Sequence, residues 1–172
     1  MKKIIFFDGD GTLWYPKKTK YAKHPVWLYK SPRIKKHANH LMMIPSARST
    51  IMRLKRMGIL TVVLSTHPHP PKEADAIIKH KIRHFKLEKL FDEVHATREH
   101  HGSKGECMLG ILKKRKIPKS EALMVGDSYL WDYKSARARG IDALLIGSAY
   151  EPMTRRITRT IKRLEDIFKY LQ

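Results

Sequence analysis

Ile4-Ile5-Phe6-Phe7-Asp8-Gly9-Asp10-Gly11-Thr12 carries an unbroken apolar run straight into two acids one residue apart. An ionised carboxylate is not tolerated inside a buried strand, so the strand predicted over Ile4–Phe7 ends where the acids begin. Asp8 and Asp10 then fall just past its carboxyl end, where open α/β sheets hold their ligands. Gly9 and Gly11 let the backbone bend and leave room for a ligand. Two carboxylates turned toward one space suit a cation together with an anionic group. Asp and Gly are also ordinary turn formers, so the rest of the chain has to decide between a turn and a site.

Outward from that loop, strands and helices alternate. Ser46 is placed to cap a helix running to about Met57, with Gly58 as its stop. The β-branched, nearly all-apolar stretch Ile59–Leu64 predicts a strand covered on both faces, delivering Ser65 and Thr66 to the same end of the sheet as Asp8. After a turn at His67–Pro71 come a helix over Lys72–His84, a short helix over Leu87–Phe91 and a strand at Val94–Thr97. A helix over Lys104–Lys114 precedes the strand Ala122–Val125, which runs into Gly126-Asp127-Ser128. A further helix over Tyr129–Arg139 stops at Gly140, and Ala143–Ile146 supplies a fifth strand. Ile157, Ile161, Leu164, Ile167, Phe168 and Leu171 predict a final amphipathic helix over Thr154–Leu171. Such alternation gives an α/β, three-layer, Rossmann-like fold with a central parallel sheet of about five strands. The whole chain, 1–172, reads as one domain. Between Trp14 and Pro45, irregular patterning and Pro16, Pro25, Pro32 and Pro45 exclude one long helix and predict a flap or small hairpin near the site.

The 172 residues, 42% of them hydrophobic, suffice for one real core. No apolar run is long enough to span a bilayer, and the run behind Met1-Lys2-Lys3 stops too soon for a secretory signal, which points to the cytoplasm. Cys107, the single cysteine, reads as a packed thiol. Thirty-six Lys and Arg against 16 Asp and Glu give a formal net charge of +20, a field that draws phosphate-bearing partners, nucleic acid among them. His67 with His69, and His100 with His101, lack the i, i+4 spacing of a helical zinc site and read as solvated or substrate-contacting groups.

Three predicted strands thus end in polar residues at one edge: Asp8 and Asp10, then Ser65 or Thr66, then Asp127, with Lys104 and Asp132 nearby. On DGDGT at Asp8–Thr12, LST at Leu64–Thr66, Lys104 opening a helix and GDSYLWD at Gly126–Asp132, the chain resembles the haloacid dehalogenase superfamily of phosphohydrolases. The short segments between motifs resemble its capless branch, which includes magnesium-dependent phosphatases.

That resemblance implies Asp8 as the nucleophile that forms an aspartyl-phosphate, and Asp10 as the group that protonates the leaving oxygen and then activates water. It implies Mg²⁺ on the Asp8 carboxylate, the Asp10 backbone carbonyl and the Asp127 carboxylate. Ser65, or Thr66 in its place, would hydrogen-bond the phosphoryl group, and Lys104 would stabilise charge. Asp132 would orient Lys104 or support the metal shell, and Thr12 would position Asp10. The expected reaction is phosphomonoester hydrolysis, with a site open enough for phosphoproteins or nucleic-acid ends. The rival reading is a basic nucleic-acid-binding protein that keeps the fold without turnover.

Overall fold

β1 (Ile4–Phe7) pairs in parallel on both sides, Ile4 lying opposite Leu60 on one neighbour and Ala122 on the other. In chain order it is followed, in a computed structural model describing residues 1–97, 103–151 and 157–172, by β2 (Trp14–Pro16), α1 (Val26–Lys30), β3 (Leu41–Met43) and α2 (Ala47–Arg56). Next come β4 (Leu60–Thr66), α3 (Pro71–His84), β5 (Glu93–Thr97), α4 (Ser103–Arg115), β6 (Ala122–Gly126), α5 (Ser135–Arg137), β7 (Asp142–Ile146) and β8 (Thr160–Ile161). One parallel sheet takes the order β5-β4-β1-β6-β7-β8. The chain winds outward from β1 to β5, then returns to β1's other side. That reversal is the switch point at which open sheets form a crevice.

Alternation along β1 explains the layers. Ile4 and Phe6 pack with Met108 and Leu112 of α4 and Ala136 of α5. Ile5 and Phe7 pack with Ile51 and Leu54 of α2 and Ile78 and Ile82 of α3. Both faces of the sheet are covered, which is why its central strands read as continuous apolar runs.

The 14–45 segment forms a separate antiparallel pair, Trp14 opposite Met43, joined through short helical turns. Pro16 ends β2 and Pro25 immediately precedes α1. Leu28, Tyr29 and Leu41 are buried in the α2–α3 layer. Cys107 is half-buried, packed against the α4–α5 layer, and burial pushes its thiol up.

Several local expectations need correction. The sheet has six strands, because β8 pairs along β7, Ile146 beside Ile161. In the described part of its range the predicted C-terminal helix is shorter and tighter than expected: Thr160–Ile161 is strand, and only Leu164–Tyr170 is helical, as 3₁₀. Its apolar residues recur largely every third position, a period that three-residue turns satisfy as well as α-helical ones. Residues 154–156 of that prediction, and His100 and His101, lie outside the described residues. Leu87–Phe91 is a turn, with Leu90 N–H donating to Leu87 C=O at 2.9 Å, and Lys86 in the left-handed region at φ 54° ends the preceding helix. Ser46 makes no side-chain cap; it too is left-handed, at φ 62°. The helix predicted over Tyr129–Arg139 begins as a π-helix, Tyr129–Lys134, before α5.

Candidate active site

Asp8 follows β1, Ser65 ends its run within β4, and Asp127 follows β6, so three adjacent parallel strands aim their carboxyl ends at one cavity of about 380 Å³. Asp8, Asp10, Ser65, Thr66, Lys104, Asp127 and Asp132 all line it. Lys104, on the first turn of α4, donates to Asp8 Oδ1 at 2.5 Å and to Asp132 Oδ1 at 2.5 Å. All three are buried. Asp132 reaches this position because the π-helix turns its side chain inward; both Asp132 N–H and Tyr133 N–H donate to the Ser128 carbonyl. Extra-residue turns of this kind often occur at functional sites. Asp132 Oδ2 also accepts from Ser128 N–H at 3.0 Å.

Position 126 has to be glycine, since a Cβ there would lie 2.2 Å from the Asp132 carboxyl carbon. Gly11 has φ +81°, and a Cβ on it would lie 2.1 Å from Asp127 Oδ2. These two glycines let carboxylates close on the backbone.

Ligand oxygens of Asp8, Asp127 and Asp132 lie within 4.8 Å of one another. Burial pushes the Asp8 carboxyl up to about 7, aided by Asp132 and Asp10 and opposed by Lys104. Asp127 is pushed well up, first by burial and then by Asp8 and Asp132; the Tyr150 hydroxyl, which donates to it, counters only part of this. Burial disfavours charge on Lys104, but Asp132 and Asp8 outweigh that and raise it. Three buried carboxylates sharing one ammonium leave negative charge uncompensated, and an all-oxygen donor set of this charge fits a hard divalent cation.

Asp10 is held differently. Trp14 Nε1 donates to its Oδ1 at 2.5 Å, Tyr29 hydroxyl at 2.7 Å and Lys81 Nζ at 3.1 Å. Lys81 is fully buried and also donates to the Tyr29 oxygen at 2.5 Å. Burial alone would raise Asp10, but Lys81, His24, Tyr29 and Trp14 together draw it down to about 2. Among the described residues, Oδ2 has one long contact, Lys81 at 3.5 Å. The Thr12 hydroxyl is buried without a partner among the described residues, so no side-chain hydrogen bond from Thr12 holds Asp10.

The Ser65 hydroxyl is likewise buried at the cavity and unpartnered, whereas Thr66 and Thr97 hydroxyls lie 3.0 Å apart. His67 is buried, not solvated, its Nδ1 3.0 Å from that of His69. Burial, then Lys81, pulls it down to about 3.

Sequence reading missed Lys81, Tyr29, Trp14 and Tyr150. A signal for Lys81 did exist: it lies on the buried stripe Ala74, Ile78, Lys81, Ile82 of α3, where a cation needs a partner. Tyr29 reaches the site from the short helix α1 and Tyr150 from an irregular segment, and neither carries such a mark.

Residues 11–146 match the family described as haloacid dehalogenase-like hydrolase, a span that begins one residue past Asp10. A *Caldanaerobacter subterraneus* subsp. *tengcongensis* protein provisionally named pyrophosphatase PpaX is 29% identical over 120 residues, 69% of this chain and 51% of that protein. Haloacid dehalogenase-like hydrolase domain-containing protein 3 of *Xenopus laevis* is 31% identical over 113 residues, 63% of this chain and 43% of that protein. The chain thus spans about half the length of these curated relatives. Among solved structures, a HAD phosphatase from *Thermococcus onnurineus* superposes with a TM-score of 0.73 at 18% identity, covering 99% of this chain and 98% of that one. *Bacillus subtilis* YfnB, solved bound to magnesium, also gives 0.73, at 14% identity, covering 99% of each. These likenesses carry the fold, and the match over 11–146 carries the family: the chain is a member of the haloacid dehalogenase-like hydrolases.

Proposed function

We propose that the protein is a Mg²⁺-dependent phosphomonoester hydrolase that works through an aspartyl-phosphate on Asp8. The observation that carries this reading is the buried chain Asp8–Lys104–Asp132 with Asp127 beside it, at the carboxyl ends of adjacent parallel strands. The Asp8 and Asp127 carboxylates and the Asp10 backbone carbonyl would hold the ion. When bound, Mg²⁺ offsets the repulsion between an anionic nucleophile and an anionic substrate.

An Asp8 oxygen attacks phosphorus, the bond from phosphorus to the leaving oxygen breaks, and that oxygen takes a proton from Asp10. In the second step Asp10 receives a proton from water, the oxygen of which attacks phosphorus, releasing phosphate and restoring the Asp8 carboxylate. Splitting the reaction this way replaces one difficult displacement by two easier ones. Asp10 Oδ2, the oxygen with the fewest donors, is the atom suited to carry the proton. A phosphate dianion alongside Asp10 opposes Lys81 and makes protonation easier than in the free protein. Ser65 supplies a hydroxyl to a phosphoryl oxygen, and Lys104, held by Asp132, neutralises charge on the nucleophile and the transferring group. The 14–45 segment takes the place of a larger cap and leaves the cavity open to bulky substrates.

Hydrolysis of p-nitrophenyl phosphate tests the reading. Turnover is expected with Mg²⁺, and none with EDTA or in Asp8→Asn. Metal-independent turnover, or an undiminished Asp8→Asn variant, overturns it.

A further inference from the structure

Residues 11–72 contain no aspartate or glutamate. Within that stretch, eight Lys and Arg fall between positions 17 and 36, and every one of them is exposed. None forms an ion pair among the described residues, whereas many cations elsewhere do: Lys2 with Asp142, Lys55 with Asp92, Arg115 with Glu93. The same segment supplies His24, Val26 and Tyr29 to the wall of the active-site cavity. Lys23 and Lys30 therefore flank cavity-lining residues in the chain, within a stretch of exposed cations that have no ion-pair partner among the described residues. Tyr21, 40% exposed, lies in the same stretch with its ring 4.5 Å from Tyr15.

We infer that this face of the 14–45 segment binds the phosphate backbone of single-stranded nucleic acid and feeds its terminal phosphate monoester to Asp8. The inference rests on the phosphohydrolase reading above for its catalytic half only. A phosphorylated peptide offers one dianion, which a few cations at the mouth would satisfy. Eight exposed cations over 20 residues, without ion-pair partners among the described residues, suit a polyanion with charge at regular intervals, and the exposed Tyr21 offers a ring on which a base can stack. Backbone binding of this kind releases counterions. With four phosphates contacted, affinity falls about 50-fold between 50 and 200 mM salt.

The test uses fluorescein-labelled DNA and RNA decamers bearing a 5′- or a 3′-phosphate, together with p-nitrophenyl phosphate and a phosphotyrosine peptide. The variant Lys18→Gln/Lys23→Gln/Lys30→Gln/Lys36→Gln removes exposed charges without touching the cavity groups. Expected are release of phosphate from one decamer end with kcat/KM at least tenfold above that for p-nitrophenyl phosphate, a tenfold or larger fall in the variant, and p-nitrophenyl phosphate turnover unchanged. Decamers hydrolysed no better than p-nitrophenyl phosphate, a variant with full decamer activity, or a preference for the peptide overturns the inference. Fluorescence anisotropy with Asp8→Asn separates the two readings. Salt-sensitive decamer binding that the fourfold variant loses, in a wild-type protein without phosphatase activity, sinks the phosphohydrolase reading and keeps the surface; turnover of p-nitrophenyl phosphate without decamer binding does the reverse.

Discussion

Lys81, buried in the middle of the α3 apolar stripe, donates to Asp10 Oδ1 at 3.1 Å and thereby compensates a carboxylate that burial would otherwise neutralise. Removing one partner of such a pair strands the other. Lys81→Met is expected to lower stability by about 3–5 kcal/mol in chemical denaturation. Without Lys81, burial raises the Asp10 carboxyl, so Asp10 keeps its proton and no longer accepts one from water in the second step. On an alkyl phosphate and on p-nitrophenyl phosphate alike, kcat should fall about 100-fold, with acyl phosphate accumulating. Lys81→Arg should recover part of both the stability and the kcat. A fall in kcat without accumulated acyl phosphate would mean that Lys81 serves packing alone.

Asp127 tests the metal reading without any turnover. At a Mg²⁺ concentration about a hundredfold above its Kd, binding to the folded state is worth about 2.7 kcal/mol. For a chain of this size that corresponds to a rise of about 5–10 °C in Tm. Asp127→Asn should abolish most of the rise, and EDTA should return the wild type to its metal-free value. A variant that keeps the full Mg²⁺ shift would remove Asp127 from the ion's shell.

Gly126→Ala and Gly110→Ala form a matched pair. A Cβ at 126 meets Asp132, whereas one at 110, on α4, meets nothing within 4 Å. The first should displace Asp132, loosen Lys104 and cut kcat at least tenfold. The second should leave kcat alone and stabilise the helix by up to about 1 kcal/mol. Equal kinetics in the two would show that Asp132 is not needed to hold Lys104.

His67 predicts an acid limb in stability. Its folded value, about 3, lies below the ordinary 6.5, with Lys81, Asp10, His69 and His37 as the charged or titratable groups acting on it. Between those values the unfolded chain binds the proton and the folded one does not. The contribution is therefore complete above pH 6.5 and is lost as pH falls toward 3. From pH 7 to 5, His67→Gln should lose about 1–2 kcal/mol less stability than the wild type. Identical slopes would mean that His67 takes up its proton while folded.

Legibility in the sequence followed burial. The strands β1, β4 and β6 could be read because parallel strands covered on both sides are written as unbroken apolar runs, and acids directly after such runs are anomalies that invite a chemical explanation. Asp8, Asp10 and Asp127 stood out for that reason. The tail could not be read, because the spacing of Ile161, Leu164 and Ile167 fits two helical periods, and a two-residue strand such as β8 has no period at all. Lys81 was hidden by its neighbours: in Lys79-His80-Lys81 it looks like another surface cation until the stripe is counted over two turns. Tyr29 and Trp14 acquire their role through Asp10, a partner that local pattern cannot name.

One glycine separates Asp8 from Asp10, yet the two hang from opposite sides of the sandwich. Asp8 is tied through Lys104 and Asp132 to the α4–α5 side, and Asp10 through Trp14, Tyr29 and Lys81 to the side of α2 and α3. Partial melting confined to the latter would unseat the proton carrier while the nucleophile stayed anchored. A protein softened in that way should stall midway through its cycle on substrates whose leaving oxygen needs no proton, such as p-nitrophenyl phosphate, accumulating acyl phosphate that it can form but no longer discharge.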